Sequence, residues 1–233
     1  MNYKTLLAVT LMSAGIATTA AAENKPVGIT PDLMSVTITH NGQPVEIKRN
    51  QDNANTVIDA FAKTSRPCPP FCIQPMVLAD GVETLGEVDV IDYAAKMEAG
   101  DKSIMLVDSR TPDWVAKGTI PGAVNVPWTE LTPAKGATTE GITKVMTEQF
   151  DVKVADGADE IAIDDAIANN KVSEVFDYSG AKTLVMFCNG MWCGQSPASI
   201  KTLLNFGYPA ERINWYRDGM QSWEILGLTT AKP

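Results

Sequence analysis

The chain is nearly without histidine. Only His40 carries an imidazole among 233 residues. That excludes a Cys₂His₂ zinc site and leaves His-dependent catalysis one candidate. His40 precedes Asn41-Gly42, so it reads as an exposed turn residue rather than a base. Positive charge is scarce too. Lys and Arg number 19 against 28 Asp and Glu, a formal net charge of −9. A chain of that sign repels phosphate backbones, and nucleic acid is not an expected partner. Long apolar runs are missing as well. The run from Leu6 to Ala17 is too short to span a bilayer comfortably. No internal repeat occurs.

What is there begins with that run. Lys4 precedes it, and small residues follow it, with Ala20 and Ala22 in an A-x-A arrangement before Glu23. This order is that of a secretory signal peptide over residues 1–22, cleaved after about Ala22. The expectation is a periplasmic protein with no membrane attachment once the signal is removed. Removing 22 of 233 residues leaves 211, enough for one domain of moderate size or a domain with an extension. Export permits disulfides. The cysteines are Cys68, Cys72, Cys188 and Cys193, an even number that allows three pairings.

Residues 23–84 read as an N-terminal extension. Val36 and Ile38 alternate with Thr, Asn41-Gly42 marks a tight turn, and Val45 and Ile47 alternate again. This predicts a β-hairpin. The stretch "NANTVIDAFAKTS" predicts a short helix. "RPCPPFCIQP" then places four prolines in nine residues, which forbids a regular helix or a central strand. It reads as an ordered linker.

From residue 85 to 233 short strands alternate with helices. "EVDVIDYAAKMEAG" predicts a helix ending at Gly100. "SIMLVDSR" and "AVNVPW" predict strands, and Thr111 with Pro112 predicts a capped helix start. "ITKVMTEQF" and "EIAIDDAIANN" predict two further helices. "KTLVMFC" is apolar throughout and predicts a central parallel strand. "SPASIKTLLNFG" predicts a helix with Ser196 as N-cap and Pro197 first. "RINWYRDG" and "MQSWEILGL" predict a last strand and helix. The pattern implies an α/β fold, an open parallel sheet flanked by helices on both faces, with a small hairpin extension.

In such a sheet, ligands gather at the carboxyl ends of strands. Cys188 falls there, between an apolar strand and a capped helix, in "FCNGMWCGQSP". Glycines at 190 and 194 let backbone N–H groups turn inward. Those amides and the helix N-terminus favour a thiolate, the nucleophilic form, without a histidine. Cys188 is therefore the candidate nucleophile, and Asn189, Gly190, Met191, Trp192, Cys193, Gly194, Gln195 and Ser196 form the loop around it. Trp192 is expected to wall a pocket, meet a partner protein, or pack on the hairpin. Cys193 could resolve an oxidised Cys188 or lock it in a permanent disulfide. Cys68 and Cys72 have three readings. They form a structural disulfide, with each other or bracing the linker onto the domain. They are a resolving pair for Cys188. Or, with Met76, they bind Cu(I) through soft sulfur ligands. A bridge from either to a cysteine near residue 190 would stabilise by up to about 4–5 kcal/mol in the chain-entropy model.

Three ordered segments resemble the rhodanese-like domain family. "VDSRTPDWVAKGTIPGAVNVP" is similar to its first signature, an Asp-x-Arg followed by a Gly-x-Ile-Pro-Gly-Ala run and Asn-x-Pro. "WYRDGMQSWEILGL" is similar to its closing signature, and the Cys-led loop lies between them. The resemblance covers roughly residues 85–230. It implies a rhodanese-like α/β sheet and a sulfurtransferase that moves sulfane sulfur through a persulfide on Cys188. The implied partners are a small donor, thiosulfate or a polysulfide, and a thiol or protein acceptor. No cofactor and no resident metal is implied. Asp108 and Arg110 match the Asp-x-Arg, with a supporting role beside the site, and Trp223 matches the closing Trp as a core residue.

The loop departs from the family pattern. Asn189 stands where the first loop Arg is usual, Cys193 where a second Arg or a Thr is usual, and Thr119 where a His is common. If Ser196 is equated with the usual Ser, the loop is two residues longer. That resembles the phosphatase and arsenate-reductase branch, yet no Arg lies between Cys188 and Ser196 to hold an oxyanion. Lys201, Arg217 and Arg110 are the candidate outside cations. The alternatives to sulfur transfer are a periplasmic thiol-disulfide relay or interaction module using Cys188 and Cys193, and a Cu(I)-handling protein.

Overall fold

The computed structural model describes residues 25–233; the expected signal peptide lies outside them. A hairpin comes first, β1 (Ser35–His40) and β2 (Gln43–Lys48), joined at Asn41-Gly42. One helical turn, α1 (Asp59–Ala62), follows. Then come β3 (Glu83–Thr84), α2 (Glu87–Glu98), β4 (Ile104–Asp108), α3 (Pro112–Val115) and β5 (Val124–Asn125). The middle of the chain forms α4 (Thr139–Gln149), β6 (Lys153–Val154), α5 (Glu160–Ala168) and β7 (Phe176–Asp177). The last part forms β8 (Thr183–Phe187), α6 (Gln195–Asn205), β9 (Ile213–Tyr216) and α7 (Gly219–Ile225).

Five strands make one parallel sheet in the order β3-β9-β8-β4-β5. The apolar run of β8 sits at its centre, as expected of a strand covered on both faces. Alternation sorts its side chains. Leu184 and Met186 enter one core with residues of α4, α5 and α6, while Val185 and Phe187 enter another with α2 and α7. The sheet is thus rhodanese-like α/β with helices on both sides and the antiparallel hairpin outside it.

The hairpin is not free-standing. Ile38 and Ile47 are buried in the second core, beside Val90, Ile91 and Trp223. Thr229 donates its backbone N–H to the Lys48 carbonyl at 3.0 Å. His40 differs from its expected exposure. It is buried, accepting at Nδ1 from the Gly122 amide (3.1 Å), with Nε2 3.0 Å from the Lys232 carbonyl. Its neighbours are structural, and they come from sequence positions too distant for local reading. Two short pairings had no sequence signal. β3 joins the sheet edge two residues before residue 85, and β6 pairs antiparallel with β7. The helix expected in "NANTVIDAFAKTS" shrinks to one turn, because the Asp52 carboxylate takes the Ala54 amide in a local turn upstream. Among the described residues no helix is long and apolar enough to cross a membrane.

Candidate active site

Cys188 follows the last residue of β8, at the carboxyl edge of the sheet. The chain then curls, with the Cys193 amide bonded to the Gly190 carbonyl at 2.8 Å, and enters α6 at Gln195. Gly194 occupies the N-cap, so Ser196 does not cap the helix as expected. Its hydroxyl is engaged elsewhere. Ser196 Oγ donates to Cys188 Sγ at 3.1 Å and accepts from Trp215 Nε1 at 3.1 Å. Pro197 falls in the first turn, where a missing N–H breaks no helical bond. Thr111 likewise precedes its helix without a side-chain cap bond.

The start of α7 holds the loop from below. The Met220 amide donates to the Cys188 carbonyl and the Gln221 amide to the Asn189 carbonyl, both at 3.0 Å. Gly219 makes this approach feasible. Its φ is +55°, and a Cβ there would meet the Cys188 carbonyl oxygen at 2.3 Å.

Cys188 and Cys193 are both buried and both free thiols. Burial pushes the Cys188 thiol up. Hydrogen bonds from the Cys193 thiol, the Ser196 hydroxyl and the amides of Ser196 and Gly190 outweigh burial and bring it down to about 7. The N-terminus of α6 favours the same charge. Cys193 moves the other way. Its bond to Cys188, then burial, then the Cys188 charge push its thiol well up. Both shifts favour the thiolate on Cys188 and the proton on Cys193.

Two of the three candidate cations are committed elsewhere, and the third is exposed. Arg110 is fully buried and bonded to Asp108 (Nε–Oδ1 2.8 Å, Nη2–Oδ2 2.5 Å) and to the Gly118 carbonyl. Thr119, which stands where the family commonly has His, donates to the same Asp108 carboxylate at 2.7 Å. This cluster fixes the turn after β4, where the Ser109 amide donates to the Phe187 carbonyl at 3.0 Å. It neighbours the site strand without touching Cys188 Sγ. Arg217 is bonded to the carbonyls of Gln74 and Pro75 and to Asp218. Lys201 lies on the exposed side of α6. Trp223 is fully buried, donating to the Thr229 carbonyl at 2.8 Å, so it belongs to the core.

The Cys- and Pro-rich linker lies over the loop. Cys68 and Cys72 are bonded to each other. The disulfide is thus local, and no long covalent loop ties the linker to the domain. With both sulfurs joined, the pair presents no thiolate to copper, and Met76 is exposed. Hydrogen bonds do the tying. The Gln74 amide donates to the Met191 carbonyl at 2.8 Å, and the Arg217 guanidinium grips the segment's carbonyls. Trp192 packs on this linker rather than on the hairpin. Phe71 meets it edge-on at 5.6 Å, and the Arg66 guanidinium stacks on it at 3.8 Å. Its indole N–H donates to Gln221 Oε1 at 2.6 Å. A cleft of about 810 Å³ opens between linker and loop, bordered by Arg66, Cys68, Phe71, Cys72, Met191 and Trp192. Arg66, Gln74, Trp215 and Gly219 are site residues that sequence reasoning missed. Only Gly219 left a signal, the glycine of the closing signature.

A buried cysteine with a lowered thiol, at the carboxyl end of a parallel sheet, defines a cysteine-centred α/β domain. The family model described as "Rhodanese-like domain" matches residues 90–226. The chain belongs to that family. It is 25% identical over 133 residues to an HTH-type transcriptional regulator of Mycobacterium tuberculosis, across 57% of this chain and 39% of that protein. The chain thus spans well under half the length of that curated relative. A solved structure from Rhodopseudomonas palustris, of a protein of unknown function described as a possible tyrosine phosphatase, aligns with a TM-score of 0.37. That match has 18% identity, over 66% of this chain and 88% of the other.

Proposed function

We propose that the protein is a sulfurtransferase that carries sulfane sulfur as a persulfide on Cys188. The observation that carries this reading is the cluster of donors on Cys188 Sγ, which brings its thiol down to about 7 although the sulfur is buried. The Cys188 thiolate attacks the outer sulfur of a donor such as thiosulfate. A sulfur–sulfur bond forms to Cys188, the donor's own sulfur–sulfur bond breaks, and sulfite leaves with the electron pair. An acceptor thiolate then attacks the outer persulfide sulfur and releases the Cys188 thiolate. The Ser196 hydroxyl and the amides of Gly190 and Ser196 hold negative charge before and after each step.

A thiol-disulfide relay is the second reading, favoured by the contact between Cys193 and Cys188. In it, Cys193 attacks Cys188 Sγ of the persulfide, a disulfide forms, and hydrogen sulfide leaves. The raised Cys193 thiol argues against this as the main path, since the thiolate is the attacking form. Export to the periplasm completes the proposal. The order of residues 1–22 supports it, and so does the Cys68–Cys72 disulfide, which suits an oxidising compartment.

The test is mass spectrometry of the protein after incubation with thiosulfate or a polysulfide. A gain of one sulfur, lost in Cys188→Ser and kept in Cys193→Ser, is expected. No gain in the wild type overturns sulfur transfer. Loading that survives in Cys193→Ser, with turnover of a protein thiol lost in that same variant, favours the relay.

A further inference from the structure

The bridge between Cys68 and Cys72 has little to stabilise. It encloses only Pro69, Pro70 and Phe71. In the chain-entropy model a disulfide gains with the length of the loop it closes, so this one gains least. Pro67, Pro69 and Pro70 have already stiffened the unfolded chain around it. The turn is closed without the sulfurs, because the Phe71 amide donates to the Pro67 carbonyl at 3.0 Å. Nor does the bridge fasten the linker to the domain. Gln74 and Arg217 do that through hydrogen bonds.

Its position suits exchange instead. Cys68 is exposed, Cys72 is half-buried, and both line the cleft between linker and loop. Exposed disulfides are the ones that thiols attack. The cleft also has the means to hold a peptide beside them. Phe71, Trp192, Ile73 and Ile225 give it apolar walls, with Ile73 79% and Ile225 61% exposed. Arg66 gives it one charge. This guanidinium takes part in no ion pair among the described residues, and its Nε is buried with no acceptor. It is held 3.8 Å from the Trp192 ring centroid, two residues before Cys68. A chain of net charge −9 repels an acidic partner, and Arg66 reverses that locally.

We infer that Cys68 and Cys72 form a redox site of their own, a disulfide that exchanges with the dithiol of a partner protein seated in this cleft. The partner segment carries two reduced cysteines, an apolar side chain for the walls and a carboxylate for Arg66. Its first thiolate attacks Cys68 Sγ, the exposed sulfur. A mixed disulfide forms, the Cys68–Cys72 bond breaks, and Cys72 leaves with the electron pair and takes up a proton. The partner's second thiolate then attacks its own first sulfur, and Cys68 leaves in the same way. The partner dithiol is oxidised to a disulfide and the linker disulfide is reduced to a dithiol, with two electrons passed. Cys188 takes no part, so the inference stands apart from the sulfur-transfer reading. The site lies outside the family-matched residues 90–226.

The test follows reduction of the bridge in the native protein, by differential alkylation and mass spectrometry of the peptide holding Cys68 and Cys72. Reduced glutathione should open it without denaturant, whereas a structural bridge resists glutathione. Two dithiol peptides then probe the cleft, one with leucine and glutamate beside its cysteines, the other with lysine in place of glutamate. The glutamate peptide should reduce the bridge about tenfold faster, as expected for one charged hydrogen bond. Arg66→Gln should abolish that preference, Arg66→Lys should keep part of it, and Ile225→Asp should slow the glutamate peptide. The double variant Cys68→Ser/Cys72→Ser should unfold at nearly the wild-type denaturant midpoint. A bridge that opens only on unfolding, or a double variant with a clearly lowered midpoint, overturns the inference and makes the disulfide a staple. Equal rates with the two peptides, or a preference that survives Arg66→Gln, overturns it as well, since the cleft then selects no partner.

Discussion

The indole N–H of Trp215 can only donate, so Ser196 Oγ must accept from it. That leaves the Ser196 proton directed at Cys188 Sγ. The hydroxyl then stabilises the thiolate, and Trp215 acts through it as a positioning residue. The consequence is measurable by the rate of alkylation of Cys188 against pH. Below the midpoint the sulfur is protonated and slow, and above it the thiolate reacts. The midpoint should lie near 7 rather than near the ordinary value of 9.0. Ser196→Ala and Trp215→Phe should each move it upward, because each removes or loosens a donor to the charged form. A midpoint unmoved by either change would show that the amides alone hold the charge. Cys188 itself was legible from its place between an apolar run and a glycine-flanked loop. The part played by Trp215 was not, since it comes from another strand.

At the scale of elements, three segments converge on one loop. β8 delivers Cys188, α6 offers its N-terminus, and α7 takes the loop carbonyls with its first amides. The contact of α7 depends on Gly219. Gly219→Ala would place a methyl group 2.3 Å from a backbone oxygen in a left-handed conformation. A loss of about 1–3 kcal/mol in chemical denaturation is expected, with faster alkylation of the unseated Cys188. Unchanged stability and reactivity would mean that the loop keeps its form without this contact. The strand-loop-helix order was readable from the alternation of apolar runs and breakers. The seating of the linker on the loop was not. Proline-rich chain carries no periodicity, and the bonds from Gln74 and Arg217 join positions far apart in sequence.

At the scale of the molecule, the hairpin and the sheet share a core. Ile47 is fully buried among residues of α2 and α7. Ile47→Ala should therefore cost about 2–5 kcal/mol of the whole protein's stability in one cooperative transition. Two separate transitions in thermal unfolding, with only the lower one moved, would instead mean that the extension folds on its own. The linker is held to the same body through Arg217, so the cleft around Arg66 joins the extension to the family domain.

The sequence by itself determined the fold class, the central strand and the identity of the candidate nucleophile. Each of these depends on local pattern: apolar alternation, helix breakers, and one cysteine at a strand end. The tertiary structure alone decided what surrounds that sulfur. It joined Cys68 to Cys72, left Cys188 and Cys193 as free thiols, buried His40, committed Arg110 and Arg217 to other partners, and set Arg66 on Trp192. The physical reason is common to all of them. Proton sharing, ion pairing and ring stacking act over a few ångströms in space, whatever the separation along the chain.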